Sequence, residues 1–283
     1  MPKKVKIIAD SPSDLSPELY QKYDVSVLPL TVSVEEKDYL DGVDIFPDDL
    51  YASYKRCGKL PKTAAPSLSA YSQEYKKWTD LGYAVINFHI SSEFSGAYNN
   101  ASIAAKEFED VYPIDSKNLS TGIGLLVLEA AELAQQGMEA GQIVERILAL
   151  REKVRASFII DTLQYLWKGG RCSGVAALGA NVLRLKPCIE VTDGKMVVGK
   201  KYRGSLSSAL HNYVADKLTG KTDLQLKRIF VTHSGMSDPA MIDEVVAQVK
   251  SLQPFSEVLI TRAGCTVSSH CGPNTLGILY LVK

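Results

Sequence analysis

Four segments of this chain bring hydroxyls, glycines and basic side chains together in a way that suits holding a small anion. Thr63 sits in Thr63-Ala64-Ala65-Pro66-Ser67, with Pro61 just before it. The prolines restrict the backbone and so the direction of the Thr63 hydroxyl. Ser91-Ser92-Glu93-Phe94-Ser95-Gly96 follows an apolar run and precedes a helix-forming one. Ser92, Ser95 and Gly96 therefore stand where unpaired N–H groups and a positive dipole end gather. Gly169-Gly170-Arg171 puts two residues without side chains beside a guanidinium. The glycines permit close backbone approach, and Arg171 offers a fixed fork of donors. His270 lies between Ser268-Ser269 and Gly272-Pro273, and Arg203 in Tyr202-Arg203-Gly204 is a further cation. Each segment read alone also fits a bland role: Ser95 as a helix cap, Thr63 in a surface loop, Arg171 and Arg203 as solvated cations. Together they describe a site that grips a carboxylate or phosphate through hydroxyls and backbone N–H groups.

Other chemistries fit poorly. Cys265 and Cys271 flank a single His neighbourhood with no second Cys/His cluster, which is not a zinc-ligand pattern, so no metal site is expected. Gly220-Lys221-Thr222 resembles the end of a phosphate-binding loop, but position 215 is Ala215 and a helix, not a strand, precedes it. Ser234-Gly235 is not a nucleophile elbow, because position 232 is Thr232. No dinucleotide glycine signature occurs. Lys+Arg and Asp+Glu both number 32, and a chain without basic excess is not expected to bind nucleic acid. The five cysteines form no Cys-x-x-Cys pair, and Met1-Pro2-Lys3-Lys4 runs into a strand without a secretory signal. The expectation is a reduced, cytoplasmic protein.

The elements that position these residues divide the chain in two. Residues 1–155 alternate short apolar strands with helices, which predicts a parallel sheet in a three-layer α/β/α domain. Strands are expected at Val5–Ala9, Val25–Val34, Ala84–Ile90 and Val111–Ile114, with Ser16 and Ser95 placed to cap helices. In such folds ligands lie beyond the carboxyl ends of the strands, where Asp10–Asp14 and Ser91–Gly96 sit. Residues 156–283 carry a strand at 157–163, an apolar helix at about 175–184, a hairpin turning at Asp193-Gly194 and further strands and helices. That mixture predicts a smaller two-layer α+β domain with a mixed sheet. Loop 59–67 is expected to lean on the second domain. Arg184, Lys186, Lys195, Lys200, Lys201 and Arg203 form a basic stretch that suits docking of a protein partner.

The ordered motifs resemble the DegV family over nearly the whole chain. Asp10-Ser11-Pro12-Ser13-Asp14-Leu15 closes the first strand, and Val27–Val32 follows in the pattern Val-x-Pro-Leu-x-Val. Tyr39–Ile45 matches Tyr-x-Asp-Gly-Val-Asp-Ile, Ser91–Gly96 matches Ser-Ser-x-x-Ser-Gly, and Leu163–Arg171 matches Leu-x-Tyr-Leu-x-Lys-Gly-Gly-Arg. Two elements depart from the pattern. Ala64 and Ala65 replace the polar pair of Thr-Ser-Gln-Pro-Ser, and Asn274 replaces a glycine in His-x-Gly-Pro-Gly.

The resemblance implies a protein that binds one long-chain fatty acid, such as a C16–C18 acid, between its domains. It implies no cofactor beyond that ligand. It further implies delivery of the carboxylate to an ATP-dependent fatty-acid kinase, whose acyl-phosphate product feeds phospholipid synthesis, and it allows transient contact with a membrane surface. On this pattern Thr63 and Ser95 hold the carboxylate with Ser92, Gly96 and His270 around it. Arg171, Arg203 and His270 support phosphoryl transfer, and the chain alone is no enzyme. Burial of a C16 tail contributes up to ~12 kcal/mol before the costs of binding, so hydroxyls need only orient the head group. Two other function classes remain in view: a stand-alone hydrolase or phosphotransferase using Ser95 and His270, and a lipid-sensing regulatory module.

Overall fold

The computed structural model describes residues 3–172 and 185–283. The expected apolar helix at 175–184, and Arg184 with it, lie outside the described residues.

Strands β1 (Val5–Asp10), β2 (Val25–Leu28), β6 (Ala84–His89) and β7 (Val111–Asp115) form a parallel sheet in the order β2-β1-β6-β7. Alternate side chains serve opposite faces. Ile8 and Val85 pack with Tyr71, Tyr75 and Ala101 from α3 (Leu68–Thr79) and α4 (Ala97–Ala104). Ile7 and Ile86 pack on the other side with Ile123 and Ile143, from α5 (Thr121–Gln135) and α6 (Ala140–Arg151). The result is the expected α/β/α layering. The first helix, α1 (Pro17–Lys22), begins as its sequence predicts: Ser16 accepts a hydrogen bond from the Leu19 N–H and Pro17 takes the first helical position.

A second, mixed sheet has the order β10-β9-β8-β13-β11-β12. Its strands are β8 (Val154–Ile159), β9 (Leu185–Thr192), β10 (Lys195–Arg203), β11 (Leu224–His233), β12 (Glu257–Arg262) and β13 (Leu276–Val282). Asp193 and Gly194 both have positive φ in the β9–β10 turn, as a two-residue hairpin of this kind requires. Helices α8 (Leu206–Leu218) and α9 (Ala240–Leu252) cover one face through Tyr213, Val214, Val245 and Val249. The other face, with Ala156, Phe158, Phe230 and Leu279, shares a core with α5. That helix is buried at ten positions, because it is the layer between both sheets. A helix apolar around most of its circumference suits such a buried layer. Among the described residues, no helix is long and apolar enough to cross a membrane.

Four local expectations are corrected. The run 25–34 is not one strand: it breaks at Pro29-Leu30 into β2, in the parallel sheet, and β3 (Thr31–Val34), which joins a separate antiparallel sheet. Pro29 has no N–H to continue a ladder. The separate sheet runs β4-β3-β5, with β4 (Lys37–Leu40) and β5 (Lys62–Ala64), so 59–67 is partly a strand and not only a loop. The strand expected at 157–163 ends at Ile159, and a short helix, α7 (Gln164–Gly169), leads into Gly170-Arg171. His270 stands in a seven-residue helix, α10 (Cys265–Cys271), where only a glycine-bounded segment was expected.

The small sheet and α2 (Pro47–Cys57) lie in the first half of the sequence but bond to the second sheet's elements. The Tyr51 hydroxyl donates to Ser234 O at 2.7 Å, Gln164 Nε2 donates to the Tyr54 hydroxyl at 2.6 Å, and Arg262 pairs with Asp48.

Candidate functional site

A cavity of about 140 Å³ lies where these parts meet. One wall is the end of β6 and the start of α4. Here Ser95 Oγ accepts the Ala97 N–H at 3.2 Å, a cap one residue ahead of the formal N-cap Gly96, and Ser95 and Gly96 both line the cavity. The junction is braced from both sides. Ser91 Oγ donates to Gly194 O at 2.8 Å, in the β9–β10 turn, and Ser92 Oγ donates to Asp115 at 2.7 Å. Ser92 therefore holds the strand end and does not line the cavity, contrary to the expected head-group role.

The opposite wall is α10 with β5 and the turn after α7. Thr63 Oγ1 and His270 Nε2 are 3.1 Å apart, although 207 residues separate them. His270 Nδ1 is buried with no hydrogen-bond partner among the described residues. It faces Gly169, where an added Cβ would stand 2.5 Å from that nitrogen. This close approach explains why position 169 carries no side chain. Gly272 serves the same packing at the end of α10: its φ is +74° and a Cβ there would meet the Tyr165 ring at 2.5 Å. Burial, and then the nearby Arg171 charge, push the His270 imidazole down to about 4, so it is neutral at physiological pH. Arg171 lines the cavity and is partly tied back, with Nη1 donating to Gly169 O at 2.7 Å.

Thr63, Ser95, Gly96, Arg171 and His270 thus share one cavity. Arg203 does not join them: it is exposed at the end of β10 and outside the lining. The basic stretch is also partly neutralised, since Lys186, Lys195 and Lys200 pair with Asp161, Glu93 and Asp216. The rest of the lining is mainly apolar and includes Leu30, Ile90, Phe94, Leu119, Met196 and Val267. Ala64 and Ala65 belong to it, which makes the edge beside Thr63 apolar. A separate small cavity is also lined by Leu119, Val267 and Cys271, together with residues that include Phe158, Ala263 and Leu279.

Three features escaped the sequence. Thr266 lines the cavity because its residue opens α10, a helix with no periodic signal. The carboxylates of Asp14 and Asp41 meet at the start of that helix. Asp14 accepts the Gly264 N–H at 2.8 Å and the Ser120 hydroxyl at 2.5 Å, and burial pushes its carboxyl up to about 8. His89, at the end of β6, is fully buried, with its Nδ1 2.9 Å from Asp10 Oδ2 and the Tyr71 hydroxyl donating to the same carboxylate. Among the described residues no group of three or more His, Cys, Asp or Glu could hold a metal ion.

Comparison with known proteins agrees with this architecture. Residues 4–283 match the family described as "Uncharacterised protein, DegV family". A DegV domain-containing protein of Clostridium perfringens is 32% identical over 280 residues, covering 98% of each chain. A fatty-acid-binding DegV family protein from Thermus thermophilus superposes with a TM-score of 0.90 at 27% identity, covering 99% of this chain and 100% of that one. A stearic-acid-binding protein from Eubacterium ventriosum gives 0.82 at 28% identity, covering 99% and 98%. The family match over residues 4–283 and the likeness to relatives over nearly their full length have one meaning: this chain belongs to the DegV family.

Proposed function

We propose that this chain binds one long-chain fatty acid between its two halves, divided near residue 155, and presents the carboxylate to an ATP-dependent kinase in the cytoplasm. The observation that carries this reading is the mixed lining of the cavity. Thr63, Ser95 and His270 face it with polar groups from its two walls, and the rest of the lining, Leu119 and Val267 included, is mainly apolar. A fatty acid has this polarity, and solved relatives are described as fatty-acid binders.

Neutral donors suit a carboxylate that must react. A lysine ion pair would hold it tightly and lower its nucleophilicity. Hydroxyls and the neutral His270 orient it and leave the oxygen lone pair available. In the proposed transfer that oxygen forms a bond to the γ-phosphorus of ATP, the bond from that phosphorus to the β–γ bridging oxygen breaks, and ADP leaves. The kinase supplies ATP and its metal chemistry. Arg171, at the cavity edge, offsets charge that gathers on the phosphoryl oxygens, and the neutral His270 acts there as a hydrogen-bonding group. A self-sufficient serine hydrolase is disfavoured by the geometry: His270 Nε2 is engaged by Thr63, and Ser95 Oγ serves the Ala97 N–H.

The test is mass spectrometry of protein purified natively and then denatured, followed by turnover with the cognate kinase. One C16–C18 fatty acid per chain, converted to acyl-phosphate only when kinase and ATP are present, is the expected result. Protein that neither carries nor takes up a fatty acid overturns the reading.

A further inference from the structure

Helix α10 carries two cavity residues, Thr266 and His270, yet has only seven residues. A helix this short does not hold its own shape in water, and its first N–H groups have no partner within it. Here those groups are taken by carboxylates from far away in the chain. Asp41 Oδ1 accepts the Cys265 N–H at 2.7 Å. Asp41 Oδ2 accepts the Thr266 N–H at 3.0 Å, the Thr266 hydroxyl at 2.7 Å and the Ser11 hydroxyl at 3.0 Å. Asp41 is 3% exposed, so each bond works in a medium where it is strong. Asp41 also sits in the tight turn that closes β4, where its own N–H donates to Leu30 O at 2.9 Å. Gly264 threads between the two acids, with Asp41 and Asp14 oxygens 3.1 and 3.3 Å from the position a Cβ would take.

From this geometry we propose that Asp41 is a positioning residue for His270: it sets where α10 begins and so where the imidazole meets Thr63 and the head group. The inference rests on the head-group assignment above. Its structural core, that Asp41 fixes the ring, stands on geometry alone. Thr63 lies on β5, which pairs with β3, and β3 pairs with β4, the strand that leads into Asp41. The same small sheet therefore holds the hydroxyl on one side of the ring and the carboxylate that anchors the ring's helix. A shift of α10 by about 1 Å would exceed the tolerance of a hydrogen bond.

The experiment compares wild type, Asp41→Asn and Asp41→Ala by NMR titration of the His270 ring, which needs neither kinase nor ligand. Wild type should titrate near 4. In Asp41→Ala the ring should leave its buried setting and titrate at least about tenfold higher in proton affinity, moving toward the ordinary range. Asp41→Asn keeps one acceptor and should move it less. Turnover with the cognate kinase should fall at least about tenfold in Asp41→Ala while fatty-acid retention stays within about twofold. Should Asp41→Ala fail to fold, Asp41→Asn and Ser11→Ala, which removes a single donor to the carboxylate, give the same ordering on a smaller scale. An unmoved His270 titration in every folded variant overturns the proposal. A moved titration with no fatty acid in any protein keeps the positioning role and rejects the head-group assignment instead.

Discussion

The two walls of the cavity are built in opposite ways. The β6–α4 wall is local: Ser91, Ser92, Ser95 and Gly96 lie within six residues, and Ser95 caps the helix that begins beside it. The α10 wall is assembled from residues far apart: Thr63 meets His270 across 207 positions, and Asp41 meets Cys265 across 224. A local wall keeps its shape through backbone geometry and loses little when one side chain is removed. The assembled wall depends on several mutually supporting contacts, so a single change there should spread.

Gly169→Ala tests the spreading most severely. Its methyl group would need the space of His270 Nδ1, so the ring must turn away from Thr63. Kinase turnover should fall roughly 10²-fold, as when a preorganised donor is lost, with fatty-acid retention nearly unchanged. Turnover at the wild-type rate would mean that the ring has no part in transfer.

Titration separates the two ends of α10. The Asp14 carboxyl, raised from 3.8 to about 8, still holds a proton in the fold after an unfolded chain has lost it. The native state then binds more protons, so stability falls as pH rises across that window and the contribution is gone above it. His270, lowered from 6.5 to about 4, gives the opposite sign: the unfolded chain binds more protons, so stability falls as pH drops from 6.5 toward 4. Asp14→Asn copies the protonated acid and should remove about 2 kcal/mol of the stability lost between about pH 6.5 and 8. Urea unfolding of both proteins across that range reads the difference, and parallel curves would place the alkaline loss elsewhere.

On the local wall, Ser95→Ala removes one acceptor from the α4 start and should cost about 1 kcal/mol in thermal or urea unfolding. It should retain fatty acid and transfer phosphate more slowly, because the head group loses a donor while the tail keeps its burial. Loss of ligand altogether would show that this hydroxyl does more than orient. The smallest effect belongs to Ser92→Ala. Among the described residues the hydroxyl bonds only Asp115, near the surface, so stability should drop by about 0.5–1 kcal/mol and retention should not change.

The same contrast explains what the sequence revealed. Strand–helix alternation, the Ser16 cap and the Asp193-Gly194 turn are set by neighbours, and they were legible. So was the β6–α4 junction, whose serines and glycine stand next to the elements they join. The break at Pro29-Leu30 was missed because Val25–Val34 is apolar throughout, and only pairing in three dimensions decides that β3 leaves the parallel sheet. Helix α10 was missed because Cys265–Cys271 has no apolar periodicity: it is buried on nearly every side and anchored by Asp14 and Asp41. The motifs marked His270, Thr63 and Gly169 as notable without saying that they touch. Ser92 and Arg203 carried the same motif weight, and only their surroundings separate them from the cavity.

Strand β13, residues Leu276–Val282, lies inside the six-stranded sheet between β8 and β11. During synthesis that sheet has a gap at its centre until those residues leave the ribosome. Helix α10, Cys265–Cys271, lies directly upstream in the same late-made stretch. A nascent chain therefore makes Thr63 and the β6–α4 junction well before the α10 side of the cavity, and the cavity is closed only once this segment has been translated.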